Sequence, residues 1–98
     1  MMSLGLTANE LGLIRSVISR FPHVTRAIVF GSRAKGIHRE TSDIDIAVDG
    51  NISPLEAESL RGDLEELPIA NRFDVVSLPH VTNDALREHI ERVGVVIV

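Results

Sequence analysis

Two hydrophobic periodicities divide the chain. After Thr7-Ala8-Asn9-Glu10, apolar side chains recur at Leu11, Ile14, Val17, Ile18 and Phe21 until Pro22 interrupts them. Residues three and four apart share one helix face, and a threonine followed three positions later by glutamate can satisfy the orphan N–H groups of a helix start. The spacing therefore predicts a first helix over roughly residues 8–20. Ala27-Ile28-Val29-Phe30 is instead a continuous apolar run ended by Gly31, which suits a short buried strand better than a single helical turn. Ile44 to Val48 predicts a second strand, closed by a turn at Asp49-Gly50-Asn51. Ser53-Pro54-Leu55-Glu56 repeats the helix-start pattern, and Leu55, Leu60, Leu64 and Leu67 are expected to line one side of the helix as far as Pro68. Gly62 within it costs about 1 kcal/mol relative to alanine, which points to close packing there. Arg72 to Ser77 predicts a third strand broken by Pro79. Asn83 can cap a last helix carrying Leu86, Ile90 and Val93, with Gly94 as its C-cap, and Val95-Val96-Ile97-Val98 reads as a terminal strand. Elements in the order α, β, β, α, β, α, β predict an α/β (α+β) fold in one domain over residues 1–98: a small mixed sheet with helices packed mainly on one face and the other face open.

The second strand carries the chemistry. Asp43-Ile44-Asp45-Ile46 alternates strictly, so the isoleucines share one face and the aspartates the other, with the aspartate α-carbons about 7 Å apart. Two bare carboxylates about 6 Å apart repel by of order 3 kcal/mol at an effective dielectric near 20, more than one cross-strand pair returns. A divalent cation reverses that sign. Asp74, on a strand about 4.8 Å away if the two align, could supply a third oxygen, and an all-oxygen set favours magnesium or manganese. An isolated Asp-x-Asp would read as the wet face of an amphipathic strand. Here aspartate, disfavoured in strands, occurs twice in one and again in another, downstream of the Gly31-Ser32 turn. Solvation alone does not explain that combination.

Other phosphate and metal motifs fail on inspection. Gly31-Ser32-Arg33-Ala34-Lys35-Gly36 begins like a P-loop, but Ile37-His38 stands where lysine and a hydroxyl residue are required. A dinucleotide fingerprint fails because Arg33 replaces its second glycine, and a calcium loop from Asp43 fails at Ala47 and Val48. No two of His23, His38, His80 and His89 have a short ligand spacing.

Composition narrows the remaining classes. A net charge of −4 and three phenylalanines without tyrosine or tryptophan argue against general nucleic-acid binding, which relies on basic contacts and stacking platforms. There are no cysteines to form disulfides, no apolar run long enough to cross a membrane, and no basic start before the first apolar residues, so a cytoplasmic location is expected. Ninety-eight residues leave little room for a separate acceptor-binding domain, so the acceptor is expected to be held by a partner. The terminal apolar strand could pair with a second chain, giving a homo- or hetero-oligomer.

The Gly31-Ser32 turn, the spaced Ser42-Asp43-Ile44-Asp45-Ile46-Ala47-Val48 and Phe73-Asp74-Val75-Val76 together resemble the DNA polymerase beta-like nucleotidyltransferase superfamily, and in particular its minimal nucleotidyltransferase branch. By that resemblance Gly31 and Ser32 would hold the triphosphate of ATP or another nucleotide, and Asp43 and Asp45 would bind two magnesium ions. Asp74 would complete the catalytic trio that activates an attacking hydroxyl. Arg33 and Lys35 stand where the branch often carries basic residues; phosphate contact and solvated loop charge both remain open for them. The resemblance further implies a HEPN-type toxin as partner, with a tyrosine of that protein adenylylated and the chain acting as antitoxin. A catalytically silent module that neutralises its partner by contact, and a subunit of an aminoglycoside-type transferase, are the rival readings.

Overall fold

A computed structural model of the chain describes residues 4–35 and 43–98. Helix α1 spans Ala8–Ile18, and its start is closed as the sequence predicts: Glu10 N–H donates to Thr7 Oγ1 at 3.0 Å, and Thr7 N–H donates to Glu10 Oε1 at 2.9 Å. Strand β1 is Val24–Phe30, and α2 is a single turn, Ser32–Lys35, absent from the sequence expectation. Strand β2 runs Ile44–Gly50. Helix α3 is Pro54–Glu65, with Ser53 and Glu56 forming a second capping box and proline in the first turn, where its missing N–H costs nothing. Strand β3 is Phe73–Ser77, followed by a 3-10 turn at Leu78–His80; α4 is Asp84–Val93, capped by Asn83, and β4 is Val95–Val96.

The four strands lie in the order β3-β2-β1-β4. β1 is antiparallel to both β2 and β4, whereas β2 and β3 run parallel, which requires the crossover that α3 provides. β1 begins earlier than its apolar run. Arg26 stands opposite Asp49 and donates to its carboxylate at 3.2 Å, so a polar pair continues the ladder beyond the hydrophobic segment.

Alternation along the strands builds two cores. One face presents Ala27, Val29, Ile44, Ile46, Val48, Phe73 and Val75 to Ile14, Val17 and Ile18 of α1 and to Ala57, Leu60 and Leu64 of α3. Each such side chain, once buried, contributes about 1.5–3 kcal/mol of transfer free energy. The other face buries Ile28, Phe30 and Ala47 under Ile90 of α4 and Leu78. α4 thus covers part of the face expected to be open.

Two local expectations change. Leu55 is 81% exposed instead of lining α3, because the buried stripe passes through Ala57, Leu60 and Leu64. Gly62 has no atom within 4 Å of where a Cβ would stand, so its helix position is open rather than closely packed. Close packing falls instead at glycines such as Gly94, where a Cβ would strike Ile28 Cγ2 and the Ile90 carbonyl. The terminal strand β4 is one edge of the sheet, held to β1 on its inner side: Ile97 N–H donates to the Ala27 carbonyl at 2.8 Å, and Arg15 Nε donates to the Ile97 carbonyl at 2.6 Å. Among the described residues no helix is long and apolar enough to cross a membrane.

Candidate active site

The ends of three strands and one turn supply the site. β1 terminates at Phe30, and Gly31 turns the chain with φ +72°, a left-handed conformation that side chains with a Cβ resist. A second constraint acts at the same residue. A Cβ on Gly31 would collide with Asp45 Oδ2, so the missing side chain leaves the space that the carboxylate occupies. Glycine here serves both the turn and the close approach of an acid to its backbone.

Register places the acids. Asp45 pairs with Phe30 across the antiparallel ladder and with Asp74 across the parallel one. Since Ile44 and Ile46 face the α1/α3 core, Asp45 emerges on the opposite face, and Asp74 lies beside it. Asp43 precedes β2 and is exposed, as is Asp74, while Asp45 is half-buried. Burial raises the pKa of Asp45 above the ordinary carboxylate value, the negative charges of Asp74 and Asp43 raise it further, and Arg33 opposes the shift. Asp74 and Asp43 therefore act electrostatically on Asp45, although among the described residues no three His, Asp or Glu side chains converge into a ready metal cluster. An all-oxygen donor set under mutual repulsion fits a hard divalent cation.

The remaining sequence-derived residues fall differently. Ser32 is half-buried at the start of α2. Arg33, for which phosphate contact was one reading, is turned inward: it is 1% exposed, and its Nη1 donates to the Leu4 carbonyl at 2.9 Å. Burial lowers its pKa, while Glu10 and Asp45 hold it up. Lys35 ends α2, with its side chain outside the described residues, as is all of Ser42. Two neighbours escaped the sequence reading. Phe30 flanks Asp45 in the ladder and meets His89 of α4 edge-on, with ring centroids 6.4 Å apart, so α4 borders the acidic end of the sheet. Glu10 acts on Arg33 more strongly than Asp45 does. Nothing in the linear pattern connects α1 or α4 to the strand ends.

A cavity of about 240 Å³ lies farther along β3, lined by Pro54, Val75, Val76, Ser77, His80 and Val81. It holds a Ser–His contact, with Ser77 Oγ 3.0 Å from His80 Nδ1. Ser77 already donates its proton to the Ile52 carbonyl at 2.6 Å, so the imidazole donates to the hydroxyl and does not activate it. That pair is structural.

Comparison with known families matches residues 13–98 to the family described as "Polymerase beta, Nucleotidyltransferase". The chain belongs to the polymerase beta nucleotidyltransferase family. A solved structure provisionally described as a minimal nucleotidyltransferase is similar over 96% of this chain and 95% of its own, with 31% identity and a TM-score of 0.72. Two toxin–antitoxin crystal structures share the nucleotidyltransferase fold. One, containing AMP-PNP, has 24% identity and a TM-score of 0.75, covering 92% of this chain and 73% of its own. The other, MntA-HepT, has 22% identity and a TM-score of 0.67, covering 92% and 69%. Among curated protein sequences no match was found.

Proposed function

We propose that this nucleotidyltransferase uses magnesium and ATP to transfer AMP to a tyrosine hydroxyl of a HEPN-type toxin, acting in the cytoplasm as the antitoxin of that pair. One observation carries the reading: Asp45 and Asp74 stand in register on adjacent parallel strands, with Asp45 seated against the left-handed Gly31 turn. The nucleotide and the toxin come from what the structural neighbours are, one a toxin–antitoxin with AMP-PNP and another MntA-HepT.

In this reading the backbone of Gly31 and Ser32 receives the triphosphate, and Lys35 adds a phosphate contact. Asp43 and Asp45, with Asp74, would hold magnesium, which when bound offsets the negative charge of the entering and departing oxygens. Asp74 is exposed on the outermost strand, where an acceptor hydroxyl can reach it. It takes the hydroxyl proton as the oxygen attacks the α-phosphorus in line; the new P–O bond forms as the bond to pyrophosphate breaks. The Asp45 carboxylate, backed by Gly31, is the fixed point of the trio, and the exposed Asp43 and Asp74 adjust around it.

The test is transfer of label from α-labelled ATP to the protein encoded beside this one. Labelling that requires divalent metal and vanishes in Asp43→Asn and Asp45→Asn supports the assignment. Neutralisation of the neighbour by both variants, with the complex intact and no label transferred, would instead establish inhibition by contact. Labelling of an aminoglycoside and not the neighbour would make the acceptor a small molecule.

A further inference from the structure

We propose that Arg33 is a buried counter-charge that sets the cation affinity of Asp43, Asp45 and Asp74 from beneath the Gly31-Ser32 turn, rather than a phosphate ligand in front of it. This rests on the cation-binding reading above. At 1% exposure, Arg33 presents almost no surface to an incoming phosphate. Its Nη1 is fastened to the Leu4 carbonyl, in the segment leading into α1. Asp45 Oδ2 rests against Gly31, two residues earlier, so one turn positions both the cation and the acid.

A guanidinium in a dry site is costly unless anions act on it. Among the described residues those anions are Glu10 and Asp45. Glu10 is itself held by its capping hydrogen bond to Thr7 N–H, and its charge at the start of α1 acts on Arg33 together with that of Asp45 at the acidic strand end. Arg33 then has two effects of opposite sign. It eases the crowding of three carboxylates before a cation arrives, and it repels the cation once there. A phosphate ligand would act on nucleotide binding and leave the binding of a bare metal ion unchanged.

Mn²⁺ alone, titrated into the full chain with the free ion read by electron paramagnetic resonance, separates these roles. Arg33→Gln should bind Mn²⁺ at least about threefold more tightly than the natural chain, because one positive charge has gone. Glu10→Gln, which can keep the capping hydrogen bond, should bind it more weakly, because one of the anions acting on Arg33 has gone. Arg33→Lys retains the charge and should stay near the natural value. Opposite shifts in the two glutamine variants are an electrostatic signature, whereas a merely structural role would weaken both. Should Arg33→Gln bind Mn²⁺ equally or more weakly while Asp45→Asn abolishes binding, the cation site stands and Arg33's part in it is refuted. Absence of Mn²⁺ binding by the natural chain would defeat the cation site itself. Should Arg33→Gln fail to fold by circular dichroism, an unchanged affinity in Glu10→Gln overturns the proposal.

Discussion

Asparagine at position 45 keeps the shape that Gly31 accommodates and removes the charge, and without metal that charge opposes folding. Asp74 lies beside it on the parallel strand. Two carboxylates about 6 Å apart at an effective dielectric near 20 repel by about 3 kcal/mol. Asp74 and Asp43 are exposed, so water and salt screen much of this, and Arg33 attracts the same carboxylate. A net cost of about 1 kcal/mol remains, worth roughly 4–8 °C in Tm for a chain of this size. In EDTA at neutral pH, Asp45→Asn should therefore melt above the natural protein by about that interval. With magnesium and a non-hydrolysable ATP analogue the gap should close or invert, because ligand binding stabilises only the chain that retains the carboxylate. The pH dependence has a definite sign. Since the folded pKa of Asp45 is raised, the native state holds the extra proton between the unfolded and folded values. Stability from this group is present below the unfolded value and lost as pH rises through the folded one. Scanning calorimetry of both proteins from acid to neutral pH isolates that component as the difference between two curves. If the variant melts at or below the natural protein in EDTA at neutral pH, or the difference curve is flat, neither burial nor the neighbouring acids oppose the Asp45 charge, and the electrostatic case for a cation fails.

Gly31→Ala must place a Cβ both in a left-handed turn and on Asp45, so urea titration should show a loss of about 1–3 kcal/mol, and label transfer should disappear even in the folded fraction. Gly62→Ala, in an open helix interior, should raise stability by about 1 kcal/mol with transfer unchanged; a loss would mean the helix position is crowded. Leu60→Ala should cost about 2–5 kcal/mol in denaturant unfolding, whereas Leu55→Ala should stay within about 0.5 kcal/mol, since Leu60 is fully buried and Leu55 is exposed. Gly94→Ala should lower the free energy of unfolding by about 1–3 kcal/mol in a denaturant titration through its clash with Ile28 and Ile90.

Local order was legible in the sequence wherever its cause is local. Thr7 with Glu10 and Ser53 with Glu56 close their helices through side chains three residues apart, and the alternation of Asp43 to Ile46 decides which residues share a sheet face. The three acids could be named for the same reason: their type and spacing are properties of the string. Tertiary packing decided the rest. Which leucines of α3 are buried depends on the angle at which the helix meets the sheet, so Leu55 points outward despite its spacing. That Gly31 must be glycine for the sake of Asp45 depends on β1 and β2 lying antiparallel in one particular register. Arg33 looks like a loop charge by sequence; only the fold shows it buried, bonded to the Leu4 carbonyl and acted on by Glu10 and Asp45. Charge and burial act through space, and the string of residues records neither distance.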